Sequence, residues 1–159
     1  MEIRNYLPHD LFDGQVVLVT GGGSGINLGI ARNFAALGAD LAICGRSIER
    51  LRDAARELED LGAQVVAEAA DVRDYEALTG VLDVTQKTLG PVNHLVCGAA
   101  GNFPAPAEAL SAGGFKAVVD IDLLGSFNAS RAAFEQQHAL QPHVIGDSRR
   151  QTAPAPGIL

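Results

Sequence analysis

The chain has 159 residues, of which 47% are hydrophobic and 19% charged, and its formal net charge is −7. This composition is sufficient for one globular domain with a buried core. The acidic balance argues against binding to nucleic acid or to an anionic membrane, because both repel a negatively charged protein, and a small-molecule ligand is expected instead.

The cysteines and the N-terminus indicate the cellular setting. Cys44 and Cys97 each end a short apolar run, which is typical of reduced thiols in intracellular proteins. Residues 1–14 contain no apolar stretch long enough for a signal peptide or a membrane span, so a cytoplasmic protein is expected. The four histidines share no metal-ligand spacing with the cysteines, and no metal site is expected.

Short apolar runs alternate with helical patterns through residue 136. The runs are VVLV (16–19), LAIC (41–44), QVVAEA (64–69) and NHLVC (93–97). Helical periodicity separates them, and a longer helix is predicted from about Gly114 to Gln136. This alternation predicts a doubly wound, Rossmann-like α/β domain over residues 1–136, with a parallel sheet in the order 3-2-1-4. Ligands of such sheets lie beyond the carboxyl ends of the first and fourth strands.

Residues 137–159 break the pattern. They contain three prolines, an Arg-Arg pair and no apolar run of strand length, a composition typical of a disordered tail. Two interpretations stay open. The segment is either a flexible natural C-terminus, or the product of a sequence replaced or cut off near Gln136, as a shifted reading frame in a gene rich in G and C would produce.

The segment TGGGSGINLG, residues 20–29, has the composition of a phosphate-binding loop. It follows a strand and opens a helix, whose N-terminal N–H groups and positive dipole end attract anions. Glycine lets the backbone approach a pyrophosphate closely and adopt positive φ. The alternative is a tight turn that is rich in glycine for structural reasons alone. The residues expected to contact a dinucleotide are Gly21, Gly23, Ser24, Gly25 and Ile26.

The end of the second strand indicates which dinucleotide is bound. Sites for NAD place an acidic residue there, which accepts hydrogen bonds from the ribose hydroxyls. This chain has Arg46 and Ser47 instead, with Arg50 one turn later. Because a guanidinium suits a 2′-phosphate, these residues predict NADP(H) as the cofactor. Alternatively, Arg46 is a solvated residue at the start of a helix.

Two motifs resemble those of the short-chain dehydrogenase/reductase family. Thr20, Gly21 and Gly25 match its Thr-Gly-x-x-x-Gly-x-Gly pattern, although Asn27 stands where the pattern has its last glycine. The segment CGAAGNF, residues 97–103, stands where the family has Asn-Asn-Ala-Gly, and its second alanine and second glycine match the last two positions. Within the family, AAGNF and the run FKAVVDIDLLGSFNASR resemble the peroxisomal-type 2,4-dienoyl-CoA reductases and their bacterial relatives. The resemblance covers about residues 11–136.

The resemblance implies an NADPH-dependent reduction of a dienoyl thioester and roles for single residues. Asp71 and Val72 would lie beside the adenine. Asp122 would orient a water or a proton donor, or it is a helix carboxylate that merely bonds nearby backbone or a lysine. The other implied residues are Ala100 and Gly101 at the cofactor, Asn102 and Phe103 beside the acyl chain, and Arg73 near the CoA phosphates.

The Tyr-x-x-x-Lys pair that most of the family uses is missing from this sequence. Its tyrosines are Tyr6 and Tyr75, and its lysines are Lys87 and Lys116. The dienoyl-CoA branch dispenses with the tyrosine but keeps a downstream lysine. Three interpretations stay open: an NADP(H)-dependent reductase of a 2,4-dienoyl-CoA or related enoyl thioester, a catalytically silent nucleotide-binding fragment or partner of a full-length relative, and a product without a stable fold.

The expected partners are a fatty acyl-CoA substrate and further copies of the chain. In a complete family fold, a fifth strand covers the outer side of the fourth strand, and no such strand is recognised here. The apolar strand at 93–97 and a helix face with Phe115, Val118, Val119 and Phe127 would then be exposed. Homo-oligomerisation through this edge, or docking of the tail onto it, is therefore expected.

Overall fold

The computed structural model describes residues 6–102 and 105–140, and the chain alternates strands and helices as far as the fourth strand. The order begins β1 (Val16–Thr20), α1 (Gly25–Ala36), β2 (Asp40–Gly45), α2 (Ile48–Glu59), β3 (Val65–Ala69), α3 (Tyr75–Thr88) and β4 (Val92–Cys97). It continues with a 3₁₀ turn (Ala107–Ala109), α4 (Ala112–Val118), a π-helical segment (Val119–Leu124) and α5 (Gly125–Leu140).

The four strands form one parallel sheet in the order β3-β2-β1-β4. This confirms the predicted Rossmann-like topology and strand order. Each of the first three helices is followed by a glycine with positive φ, at Gly38, Gly62 and Gly90, which ends the helix and turns the chain back toward the sheet. The strand order reverses between β1 and β4. The carboxyl ends of these two strands therefore border the crevice where such folds bind ligands.

The two central strands, β1 and β2, are buried on both faces, which explains why they appear in the sequence as continuous apolar runs. Val17 and Val19 point to one face, where they join a core formed with α1 and α2. Val16 and Leu18 point to the other face, where they pack with residues of α3 and α5. All five residues of β1 are buried, whereas only Val92 of β4 is.

The last helical region differs from the single helix predicted between about Gly114 and Gln136. It begins at Ala112, contains the π-helical segment and continues through Leu140. The side chains of Gln136 and Gln137 hold its last turns, because their Nε2 groups donate to the carbonyl oxygens of Leu82 and Val92, each at 2.8 Å. The start of the predicted tail is therefore helical, and residues 141–159 lie outside the described residues.

Candidate functional site

The glycines of the loop between β1 and α1 are required by backbone shape and by space. Gly21 and Gly25 have φ angles of +72° and +60°, which L side chains rarely adopt. A Cβ on Gly22 would lie 2.8 Å from Cγ2 of Ile43. The loop therefore follows a path that side chains at these three positions would block.

The N-terminus of α1 lacks the capping groups that α2 and α3 have. Ser47 accepts a hydrogen bond from the N–H of Arg50, and Asp74 accepts one from the N–H of Ala77. Ser24, at the N-cap of α1, makes no such bond within the described part of the chain, and the first turn of α1 contains no acidic residue. The first N–H groups of α1 are thus left for an external acceptor, and an anion suits them best.

A cleft of about 550 Å³ lies beside this loop at the carboxyl ends of the strands. It brings together most of the residues predicted to contact the dinucleotide, namely Gly21, Gly23, Ser24, Ile26, Arg46, Ser47, Arg50, Asp71, Val72 and Ala100. Two predicted residues do not line it. Gly25 begins α1, and the N–H of Gly101 donates to Asp122.

Other residues of the cleft had not been assigned to the site from the sequence. They are Asn27, Gly45, Leu51, Ala70, Gly98, Ala99 and Ile121. The signal for three of them was position, because Gly45 ends β2 while Ala70 and Gly98 directly follow β3 and β4. In a doubly wound sheet, the loops after all these strands converge on one edge.

Two cations lie on the cleft where β2 ends. Arg46 and Arg50 are exposed, and in the portion of the chain that is described neither forms a side-chain ion pair. No acidic side chain occupies the end of β2, which reads Gly45-Arg46-Ser47. Two exposed guanidinium groups that form no ion pair with the described residues create a surface that attracts an anionic group.

The carboxylate of Asp71 is held by the arginine two residues later. Arg73 donates to it through Nε at 2.9 Å, through Nη2 at 2.5 Å and through its backbone N–H at 3.0 Å. The hydrogen bond from the Arg73 side chain is the main reason that the pKa of Asp71 falls to about 2, and the charge of Arg46 adds to the effect. Arg73, predicted to lie near the CoA phosphates, is thus bonded to Asp71 and does not line the cleft.

Hydrogen bonds of buried polar side chains connect the segments that line the cleft. Thr20 is 1% exposed, and its Oγ1 accepts hydrogen bonds from the N–H groups of Gly98 and Ala99, both at 3.1 Å. Asn128, a buried residue of α5, donates through Nδ2 to the carbonyl oxygen of Val72 at 3.0 Å. The sequence patterns did not indicate the role of Asn128, because the two bonded residues lie 56 positions apart.

Asp122 lies in the π-helical segment, a feature that often accompanies functional sites. Its Oδ1 accepts a hydrogen bond from the N–H of Gly101 at 2.8 Å, so the carboxylate contacts the loop after β4. This contact agrees with the interpretation of a helix carboxylate that bonds nearby backbone, and a role toward a proton donor stays a prediction. Asn102 is exposed and does not line the cleft, and Phe103 lies outside the described residues.

The two thiols differ in exposure. Cys44 is buried in the sheet, and burial raises its pKa to about 12. Cys97 is exposed at the end of β4. Within residues 6–102 and 105–140, no three His, Cys, Asp or Glu side chains form a group that could hold a metal ion. Over the same ranges, no helix has the length and apolar character needed to cross a membrane.

Comparison with known proteins identifies a family and several relatives. The family model described as short chain dehydrogenase matches residues 15–143. A peroxisomal 2,4-dienoyl-CoA reductase [(3E)-enoyl-CoA-producing] of Arabidopsis thaliana is 45% identical over 79% of this chain and 42% of its own length. A probable 2,4-dienoyl-CoA reductase [(2E)-enoyl-CoA-producing] of Bacillus subtilis is 37% identical over 75% of this chain and 47% of its own. The chain thus spans about half the length of the curated relatives it matches.

Solved structures share the fold. The citronellol catabolism dehydrogenase AtuB of Pseudomonas aeruginosa superposes with a TM-score of 0.77 at 37% identity, covering 84% of this chain and 55% of that one. The F189W actinorhodin polyketide ketoreductase, whose structure contains NADPH, gives a TM-score of 0.75 at 29% identity, covering 80% of this chain and 49% of that one.

Proposed function

This chain belongs to the short-chain dehydrogenase family, and from that premise we propose that its cleft binds NADP(H). The observation that carries the proposal is the position of two guanidinium groups, Arg46 and Arg50, which lie on the cleft at the end of β2 and form no ion pair with residues 6–102 or 105–140. A site that selects NAD would need a carboxylate there to accept hydrogen bonds from the adenosine ribose. A guanidinium cannot accept, but it donates well to a phosphate.

The described residues fit the whole adenosine half of that cofactor. The uncapped N-terminus of α1 and the glycine loop would hold the pyrophosphate, and Arg46, Ser47 and Arg50 would hold the 2′-phosphate. Asp71 and Val72 would border the adenine from the far wall. When bound, the cofactor supplies or accepts a hydride. The part played by the chain is to hold the cofactor in one position beside the carboxyl ends of β1 and β4.

For the whole protein we propose reduction of a 2,4-dienoyl-CoA or a related enoyl thioester in fatty acid metabolism. The names of the Arabidopsis and Bacillus relatives support this substrate class. Asp122 would act by orienting a water or proton donor next to the loop after β4, which its carboxylate already contacts through Gly101. Asn102 would border the acyl chain, and Arg73 would approach the CoA phosphates. The cytoplasmic location stays a prediction, and the relative from Arabidopsis is named as peroxisomal.

A second candidate function is a nucleotide-binding chain without catalytic activity of its own. The observation that favours it is the set of lysines in the sequence, Lys87 and Lys116, neither of which stands in a Tyr-x-x-x-Lys pair. Such a chain would still bind NADP(H). NADPH consumption with a 2,4-dienoyl-CoA separates the two candidates: negligible consumption is expected of the 159-residue chain, and turnover near one per second would overturn the silent alternative.

Titration of NADPH and NADH tests the cofactor proposal. Arg46→Asp should weaken NADPH binding roughly tenfold to a hundredfold, as expected for loss of a charge-assisted hydrogen bond, and leave NADH binding nearly unchanged. Arg56→Asp makes the same change of charge on the exposed side of α2, where the native arginine pairs with Asp53, and it should affect neither cofactor. Equal losses of NADPH and NADH binding in Arg46→Asp would overturn the assignment of the 2′-phosphate.

A further inference from the structure

Two positions at which this chain departs from the family patterns are in direct contact. Asn27 stands where the Thr-Gly-x-x-x-Gly-x-Gly pattern has its last glycine, and Gly98 stands at the first asparagine position of Asn-Asn-Ala-Gly. In the structure, Nδ2 of Asn27 donates to the carbonyl oxygen of Gly98 at 2.6 Å. Asn27 therefore carries a side chain where the family pattern has none, and Gly98 has none where the pattern has an asparagine.

The contact leaves no room for a second side chain. A Cβ on Gly98 would lie 2.5 Å from Cγ and 2.8 Å from Nδ2 of Asn27, far inside van der Waals contact. Nδ2 of Asn27 also lies 3.4 Å from the carbonyl oxygen of Gly21, on the first residue of the phosphate loop. The amide of Asn27 therefore fills the space between the loop and the chain that follows β4, and it is compatible only with glycine at position 98.

The amide of Asn27 also holds the turn after β4 in place. Thr20 accepts the N–H of Gly98 on one side, and Asn27 donates to its carbonyl oxygen on the other. Gly21, Asn27, Gly98 and Ala99 all line the cleft. A shift of this turn relative to the phosphate loop would consequently change the width of the cleft floor.

We propose that Asn27 is a positioning residue for the dinucleotide: its amide sets the separation between the phosphate loop and the turn after β4, and the loss of a side chain at Gly98 is what makes room for it. The proposal rests on the proposed cofactor function. The action of Asn27 is indirect, through the backbone of Gly21 and Gly98. The hydrogen bond of Asn27 should affect cofactor binding in addition to the effect of the volume that its side chain fills. Without this bond, the carbonyl group of Gly98 would lack a donor and would be free to move.

Four variants separate the effect of the hydrogen bond from the effect of the volume that Asn27 fills. Asn27→Gly restores the glycine of the family pattern and removes both, and Asn27→Ala serves as a second variant that removes the amide. Gly98→Ala forces a clash with the native Asn27. The double variant Asn27→Gly/Gly98→Ala refills the space with a methyl group but supplies no donor. The measurements are the Kd for NADPH by fluorescence titration, the Tm without cofactor, and hydrogen exchange at the N–H groups of Gly98 and Ala99.

Asn27→Gly and Asn27→Ala should raise the Kd for NADPH about fivefold, the usual scale for one hydrogen bond, and should speed exchange at Gly98 and Ala99. Gly98→Ala should lower the Tm and weaken binding further. The double variant should recover the Tm lost in Gly98→Ala while its Kd stays as high as that of Asn27→Gly.

Wild-type affinity in the double variant would overturn the proposal, since volume alone would then account for the contact. Unchanged affinity and exchange in both Asn27→Gly and Asn27→Ala would overturn it as well. These results differ from failure of the cofactor function. If the wild-type chain binds neither NADPH nor NADH, the proposed function falls, and the positioning role toward a dinucleotide falls with it.

Discussion

The region around β1 and β2 and the region around β4 differ in how completely their apolar side chains are buried. Around β1 and β2, side chains such as Val17 and Leu41 are 0% exposed, and helices α1 and α2 close that face. Beyond β4, Leu123 and Phe127 of the last helical region are 68% and 57% exposed. The proposed nucleotide site thus lies where the core is complete, whereas the β4 side presents apolar surface to solvent. This contrast predicts that binding of the adenosine half depends on the first region and association depends on the second.

The same leucine-to-alanine substitution should change the free energy of unfolding very differently in the two regions. Leu41→Ala should lower the free energy of unfolding by about 2–5 kcal/mol, because it removes a fully buried side chain and leaves a cavity. Leu123→Ala should change it by about 0.5 kcal/mol or less, since that side chain is mostly solvated. Urea unfolding followed by circular dichroism measures both. Similar losses in the two variants would show that the β4 side is covered in solution.

Self-association is the second expected effect. The apolar face with Phe115 and Phe127 and the outer edge of β4 should pair with another copy, so light scattering should show a mass that rises with concentration. Phe127→Glu should reduce the association by placing a charge on that face. Asn33→Glu adds the same charge on α1 across the sheet and should not.

One outcome would contradict the predicted association through the β4 region. If the chain stays monomeric over the whole concentration series, and the N–H groups of β4 that point away from β1 exchange freely with solvent, then neither pairing of the β4 edge nor docking of the tail occurs.

The smallest expected effect is a pH dependence at the cleft. The folded pKa of Asp71, about 2, lies below its ordinary value of 3.8, so the ion pair with Arg73 stabilises the fold above about pH 4. That contribution should be lost as the pH falls from about 4 to 2, because the carboxylate is then protonated in both states. Asp71→Asn should flatten stability over this window when unfolding is measured at several pH values. An unchanged pH profile in Asp71→Asn would place the titration elsewhere.

The strand order followed from sequence because the evidence for it is local. Each strand is a short apolar run, each of the first three helices is followed by a glycine, and right-handed crossovers then leave one arrangement. The proposed phosphate-binding loop was equally easy to predict from the sequence, since glycines after a strand and before a helix have few other uses. Arg46 was identifiable because it directly follows β2, where a charge is expected to affect the choice of cofactor.

Features that depend on distant contacts were not predicted. The π-helical segment accompanies a bond between Asp122 and Gly101, which lie 21 positions apart. The last turns of α5 depend on Gln136 and Gln137 contacting α3 and β4. The departure at Asn27 was visible in the sequence, but its partner was not, because only the fold places α1 against the turn after β4. Such contacts have no periodicity along the chain.

Under the proposed function, Arg46 and its neighbours recognise a 2′-phosphate on adenosine. Calorimetric titration with adenosine 2′,5′-bisphosphate and with AMP tests this recognition, because both ligands lack the pyrophosphate and the nicotinamide half and differ only in the 2′-phosphate. The bisphosphate should bind at least about tenfold more tightly, the scale of one charge-assisted hydrogen bond to a guanidinium. Equal affinities, or tighter binding of AMP, would contradict the assignment of this chain as an NADP(H)-binding protein.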